Sequence, residues 1–263
     1  MAENKLSFAV PAFGDSPYLE ECLRSLERQT IPSAVYITTS TPSSALGEIA
    51  GRHNVRLIVN PERRGIAADW TFAYRHCATK YLTLAHQDDI YHPGYAAAVG
   101  DAVERSPDTL ITFTDYDEQS AGRPAGRTVN LAIKKAILTA SFLAGPSLGS
   151  VRAKRRLLSW GCAIPCPSVM FNKQRIGDFV FSDEFATTLD WDAWARLAER
   201  SGSFRYLPET LLTHRLHPGT ATAGGIEAGR RQREDRLMFR RFWPAPFDAM
   251  MAALYSLSLR TRA

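Results

Sequence analysis

The chain has 263 residues, 45% of them hydrophobic and 22% charged, a composition that excludes a disordered chain and fits one large globular domain or two small ones. No apolar run approaches the ~20 residues that a membrane span requires, and the opening Met1-Ala2-Glu3-Asn4-Lys5 carries an acid ahead of a short apolar stretch, unlike a signal peptide or anchor. The net charge of +5 is uneven: residues 227–263 hold eight arginines against two glutamates and two aspartates, so the basicity belongs to the C-terminal stretch.

Leu6 to Val10 suits a buried first strand ended by Pro11, and Ser16-Pro17 supplies an N-cap with proline at the first helical position. In the helix that follows, Leu19, Cys22, Leu23 and Leu26 fall on one face, with Glu20, Glu21, Arg24 and Arg28 outside. A strand at Ala34 to Thr39, a short helix around Leu46 to Arg52 and a strand at Val55 to Val59 continue an alternation that marks a parallel sheet. After the turn-forming Asn60-Pro61-Glu62-Arg63-Arg64-Gly65, the positions Ile66, Trp70, Ala73, Tyr74 and Cys77 space like one helix face.

Tyr81 to Ala85 is an apolar run suited to a buried strand, and it leads directly into His86-Gln87-Asp88-Asp89. Ligands of open α/β sheets bind at the C-terminal ends of strands. Two carboxylates beside a histidine are hard oxygen and nitrogen ligands suited to Mg2+ or Mn2+ carrying a phosphate, although a polar loop that caps a helix would read the same way. A helix from Pro93 to Arg105 and a strand from Leu110 to Thr114 follow, ending in an acidic loop, Asp115-Tyr116-Asp117-Glu118, where the first half of the domain is expected to stop.

Gly, Pro and Ser interrupt the next forty or so residues, with one helix expected near Ala132 to Leu143. The four cysteines are scattered, and Cys162-x-x-x-Cys166 without a second pair reads as structural in a reducing compartment. Asp190 to Ala198 predicts a helix with an acidic first turn, with Trp191, Trp194, Ala195 and Ala198 on one face. Asp190 and Asp192 are two apart and so point different ways. A strand at Phe204 to Leu207, a second at Leu211 to His217 and the arginine-rich stretch close the chain. In that stretch Phe239, Phe242, Trp243, Phe247, Met250, Met251, Leu254, Tyr255 and Leu257 stand among arginines, the pattern of an interfacial amphipathic segment and equally of a helix packed on the domain or a dimer face.

Four features in this order carry a resemblance. They are Val10-Pro11-Ala12-Phe13 with its Tyr18-Leu19-x-x-Cys22-Leu23 helix, Gly65-Ile66-Ala67-Ala68-Asp69, the His86-Gln87-Asp88-Asp89-Ile90-Tyr91-x-Pro93 stretch, and Leu189-Asp190-Trp191-Asp192 followed by Arg215-x-His217. Together they resemble a family 2 glycosyltransferase of the inverting GT-A type, over about Lys5 to Thr222 and more closely in the N-terminal half.

The resemblance implies an α/β fold of the GT-A kind, a Rossmann-like, mostly parallel sheet flanked by helices. Residues 1–118 would hold a nucleotide-sugar donor, residues 119–226 the acceptor and the base, and residues 227–263 a basic amphipathic helical tail. It implies donor contacts from Pro11, Ala12, Phe13, Thr39, Gly65, Asp69, His86, Gln87 and Arg215, and a divalent cation, Mg2+ or Mn2+, on Asp88 with His217. Asp190 matches the family's catalytic base, with Asp192 as the alternative, and Trp191 is the residue to stack on an acceptor sugar. Three positions depart from the family pattern: His86 stands where a first acid is usual, Thr38-Thr39-Ser40 replaces acids that often contact the nucleotide, and Leu189 replaces a glutamate.

The implied activity is transfer of a sugar from a nucleotide-diphosphate sugar to a hydroxyl of a glycan or lipid-linked acceptor, in the cytoplasm. Peripheral contact with the inner membrane face and a homodimer are further expectations, and nucleic acid is not an expected partner. The alternative is a non-catalytic carbohydrate- or nucleic-acid-binding protein that uses the basic tail.

Overall fold

The structure, a computed structural model, describes residues 5–62, 64–120, 122–125, 128–219 and 229–260, with side chains through residue 257. Arg63 and the first residues of the expected tail lie outside the described residues. The predicted alternation forms the first half: β1 (Leu6–Ala12), α1 (Leu19–Glu27), β2 (Ala34–Thr39), α2 (Ser44–Arg52), β3 (Arg56–Val59), α3 (Ile66–His76) and β4 (Tyr81–Leu84). β2 pairs in parallel with β1 and β3, and β4 pairs in parallel with the other side of β1. All four residues of β4 are buried, as the apolar run requires of a strand covered on both faces.

The chain continues through β5 (Ile90–Tyr91), α4 (Tyr95–Arg105), β6 (Thr109–Ser120), β7 (Arg123–Pro124), α5 (Val129–Ser141), β8 (Ser147–Leu148) and α6 (Val151–Leu158). β9 (Val169–Asn172), α7 (Lys173–Ile176), α8 (Leu189–Ala198), β10 (Ser203–Leu216), α9 (Arg230–Arg240) and α10 (Phe247–Arg260) complete it. The sheet runs β3-β2-β1-β4-β9-β6-β10-β5, with β7 on β6 and β8 on β10. β9 is antiparallel to both of its neighbours, which leaves β4, β6 and β10 running the same way and the sheet mostly parallel. One sheet therefore crosses the expected division at residue 118.

Two expected elements differ. The acids after Thr114 belong to β6, not to a loop: the two that are buried meet a partner, Lys135 Nζ 2.9 Å from Asp115 and Thr128 Oγ1 donating to Glu118 at 2.7 Å, while Asp117 points to solvent. The two strands expected around Pro208 are one strand, β10, whose pairing with β6 slips between Leu207 and Thr210, where proline has no N–H for the ladder.

The C-terminal stretch packs into the core. Met238 and Phe239 of α9 are fully buried, and Phe239 and Tyr255 meet the Trp191 ring at centroid distances of 4.9 and 5.8 Å. Gly161 permits this approach: it has φ +123°, and a Cβ there would stand 2.6 Å from Tyr255 Cε2. Among the described residues, the large apolar side chains left exposed on α10 are Phe247, Met250, Leu254 and Leu257.

Candidate active site

A cleft of about 690 Å³ opens at the C-terminal ends of β1, β2 and β4. Its wall includes Pro11, Ala12, Phe13, Gly65, Asp69, His86, Gln87, Asp88, Asp190 and His217, residues that lie up to 206 positions apart in the chain. The strands set these positions, since each ends where its neighbours end and the following residues turn out of the sheet at a common edge.

On the donor side, Gln87 joins two of the loops: Phe13 N–H donates to Gln87 Oε1 and Gln87 Nε2 donates to Phe13 O, both at 3.2 Å. The Phe13 ring is left 67% exposed at the mouth, free to cover a planar group. Asp69 accepts from Ser40 Oγ and from Asn60 Nδ2, each at 2.9 Å, which ties the start of α3 to the ends of β2 and β3. Gly65 precedes α3 with φ +94°, a conformation that glycine alone adopts without strain.

The loop after β4 is held from β10. Asp89 is fully buried, and its Oδ1 accepts from His214 Nδ1 at 2.9 Å and from Arg215 N–H at 3.0 Å. Burial alone would raise this carboxyl, but His214, His86 and the Arg215 N–H outweigh it and hold the group below the usual carboxylate range. Asp88 and His217 are partly exposed to the cleft, with Oδ2 and Nε2 2.9 Å apart. His86, Asp88 and Asp89 can each offer one ligand atom within 4.8 Å of the others. His86 Nε2 and Asp89 Oδ2 are buried without a hydrogen-bond partner among the described residues, so the nitrogen and oxygen donors here fit a hard or borderline divalent cation.

Asp190 reaches the cleft from the first turn of α8. Its Oδ1 accepts from Trp191 N–H at 2.8 Å, and Cys162 Sγ lies 3.5 Å from Oδ2. Thr187 and Leu189 flank it on the cleft wall.

Four expected site residues stand elsewhere. Arg215 is 7% exposed and turned behind the loop, where Nε donates to Asp88 O at 3.0 Å and Nη2 to Glu21 at 2.6 Å, so its guanidinium buttresses the Asp88 loop and does not line the cleft. Thr39 is buried and accepts from Thr41 N–H at 3.0 Å, while its neighbours Ser40 and Thr41 line the cleft. Trp191 has no exposed surface, and its Nε1 donates to Leu158 O at 3.1 Å, so it offers no face to a sugar ring. Asp192 is buried off the cleft between Arg196 Nε at 2.8 Å and Arg241 Nη1 at 2.6 Å, so both oxygens are occupied and it is not positioned to act as a base.

Other cleft residues were not among the expected site residues: His214, Tyr116, Lys134 and Arg231. Arg231 carried a usable signal. With Glu234, Asp235, Met238 and Phe239 it recurs at three- and four-residue spacing, which puts charges on the buried face of a helix, where an unneeded charge is costly.

The sequence model described as Glycosyl transferase family 2 matches residues 7–173. A search of curated proteins gives no match. Among solved structures the chain is similar to S. aureus TarS 1-349, with a TM-score of 0.64 and 12% identity over 89% of this chain and 64% of that one. The complex of that protein with UDP-GlcNAc gives a TM-score of 0.62 at 12% identity, over 97% of this chain and 72% of that one. The mannosyltransferase PcManGT from Pyrobaculum calidifontis, in complex with GDP-Man and Mn2+, gives 0.66 at 15% identity, over 99% and 74%. The chain spans 64% of the TarS fragment and 39% of the longer TarS chain, and at these identities the likeness shows the fold alone, which is the expected GT-A arrangement.

Proposed function

The chain belongs to glycosyl transferase family 2, and on that premise we propose that it is an inverting glycosyltransferase that moves a sugar from a nucleotide-diphosphate sugar to a hydroxyl of a glycan or lipid-linked acceptor. What supports this reading is that one cleft gathers Phe13 and Asp69 at its donor side, Asp88 with His217, and Asp190. Asp88 and His217, beside His86, would hold a divalent cation, Mg2+ or Mn2+, which when bound would supply Lewis-acid stabilisation of the diphosphate's developing charge. Asp190 takes the acceptor hydroxyl proton while that oxygen bonds to the anomeric carbon. The bond from that carbon to the diphosphate oxygen breaks, its electron pair leaves with the nucleoside diphosphate, and attack on the opposite face inverts the anomeric centre.

Thermal shift with UDP, GDP and the other nucleoside diphosphates, each with and without Mn2+, tests the donor half. One diphosphate is expected to raise Tm clearly more than the others, and more with Mn2+, since a ligand that binds only the folded state stabilises it by about 2.7 kcal/mol at a hundred times its Kd. No shift with any nucleoside diphosphate at millimolar concentration refutes the donor assignment. A non-catalytic binding role for the basic tail is not favoured, because the family model is that of a transferase and part of the tail is tied into the domain, Arg231 by Asp235 and Arg241 by Asp192.

No helix of the described residues is long and apolar enough to cross a membrane. The finer expectation, a lipid-linked acceptor met at the cytoplasmic membrane face, draws support from α10. Phe247, Met250, Leu254 and Leu257 recur at helical spacing and are each more than half exposed, beside the outward arginines Arg233, Arg236 and Arg240 of α9. Each arginine near an anionic surface contributes on the order of 1 kcal/mol. The double variant Met250→Glu, Leu254→Glu is expected to lose co-sedimentation with phosphatidylglycerol vesicles while its Tm stays within about 2 °C of wild type. Undiminished co-sedimentation excludes the membrane contact, and loss of a concentration-dependent dimer in its place assigns the face to a second copy.

A further inference from the structure

Glu234 belongs to α9, in the arginine-rich part of the chain, and is 6% exposed. Its Oε2 accepts from Thr187 N–H at 2.8 Å, Thr188 N–H at 3.1 Å, Thr187 Oγ1 at 2.7 Å and Thr188 Oγ1 at 3.3 Å, and its Oε1 from Ala186 N–H at 3.1 Å. These three residues lead directly into α8, whose N-cap, Thr188, makes no side-chain cap hydrogen bond. The first N–H groups of a helix need acceptors from outside it, and a carboxylate beside them also meets the positive end of the helix dipole. Glu234 accepts from the N–H of the N-cap residue Thr188 and of the two residues before it, so its charge stands just ahead of the first turn of α8. Burial works to raise its carboxyl, and the bonds from Thr187 and the backbone N–H groups outweigh burial and keep the group ionised.

Arg231, one turn earlier on the same face of α9, holds the same segment from its carbonyl side. Its Nη1 donates to Thr187 O at 2.9 Å, and its Nε is fixed by Asp235 Oδ1 at 2.9 Å. The clamped turn stands two residues ahead of Asp190, and Thr187, Asp190 and Arg231 share the cleft wall. The structure assigns to Glu234, with Arg231, the role of positioning residues that fix the start of α8 and thereby the aim of the Asp190 carboxylate. This rests on the reading of Asp190 as the base. A base works only within hydrogen-bond reach of the proton it removes, and a displacement of about 1 Å costs on the order of a hundredfold in rate.

The test uses the full chain and the slow hydrolysis of UDP-GlcNAc or GDP-Man, whichever gives the larger thermal shift, with water in place of the acceptor. Glu234→Gln keeps the shape but turns an amide N–H2 toward backbone donors, so kcat is expected to fall about ten- to a hundredfold while the donor KM changes by less than about twofold. Glu234→Asp, which keeps the charge on a shorter stem, is expected to recover part of that loss. Amide exchange at Ala186, Thr187 and Thr188 is expected to quicken in Glu234→Gln while β1 stays protected. Residues that act as a unit are not additive, so Glu234→Gln placed on Asp190→Asn is expected to slow the reaction no further.

Unchanged exchange at those amides, a wild-type kcat in Glu234→Gln, or a fully additive loss in the double variant overturns the positioning role while Asp190 remains the base. If instead Asp190→Asn by itself is as fast as wild type, the base assignment fails whatever Glu234 does. Should Glu234→Gln not fold, Thr187→Val removes a single donor to the same carboxylate, and a wild-type kcat and exchange rate in that variant overturn the proposal equally.

Discussion

Asp190→Asn is expected to lower transfer by about 10²–10⁴-fold with donor affinity nearly unchanged. The amide keeps the bond that Trp191 N–H gives to Oδ1, so the first turn of α8 retains its shape, but it cannot take a proton. Asp192→Asn is expected to behave in the opposite way. Its carboxylate is 1% exposed and faces Arg196 and Arg241, which are themselves about a third exposed, so water screens what is lost. That screening limits the cost to about 1–2 kcal/mol, a fall in Tm of some 2–8 °C, with kcat close to wild type. Calorimetry for donor binding, product formation for rate and the anomeric configuration of the product distinguish the two. If Asp192→Asn is the slow variant the base has been misassigned, and a product that retains the donor's configuration rules out direct displacement altogether.

The half of the fold from β1 to β4 was legible because its signals are local. Apolar runs of strand length alternate with helices whose buried face repeats at three and four residues, and connections of this kind leave few topologies. The strand from Thr109 to Ser120 was cut short because Asp115, Asp117 and Glu118 read as a loop. Nothing in their own sequence shows that Lys135 and Thr128, from the α5 region, will supply partners. Motifs located the cleft well but gave no side-chain directions. Arg215 and Trp191 belong to motif segments near the cleft, yet one turns back to Glu21 and Asp88 O and the other into the core against Phe239. Arg231 and Glu234 were missed for a different reason. Summed as net charge they vanish into a basic tail, whereas taken by helical face they stand with Met238 and Phe239 on the side that must be buried.

Asp88→Asn is expected to abolish the Mn2+-dependent part of nucleoside diphosphate binding and to lower transfer by on the order of 10³-fold, which corresponds to about 4 kcal/mol of lost charge stabilisation. The fold should survive, because the loop is held by Asp89 through His214 and the Arg215 N–H, and by Arg215 Nε on the Asp88 carbonyl, none of which needs the Asp88 side chain. The amide can still pair with His217, so geometry is kept while the charge that attracts a cation is removed. His217→Gln is expected to weaken the same metal-dependent term by less, since it removes a neutral ligand and leaves the anionic one. Calorimetric titration of the diphosphate identified by thermal shift, run with Mn2+ and again with a chelator, separates the metal-dependent affinity from the rest. Equal metal-dependent affinity in wild type and Asp88→Asn shows that Asp88 does not hold the cation. If the chelator leaves wild-type binding and transfer unchanged, the positive charge opposite the diphosphate must come from side chains, and Arg231 and Lys134 on the cleft wall become the cations to replace next.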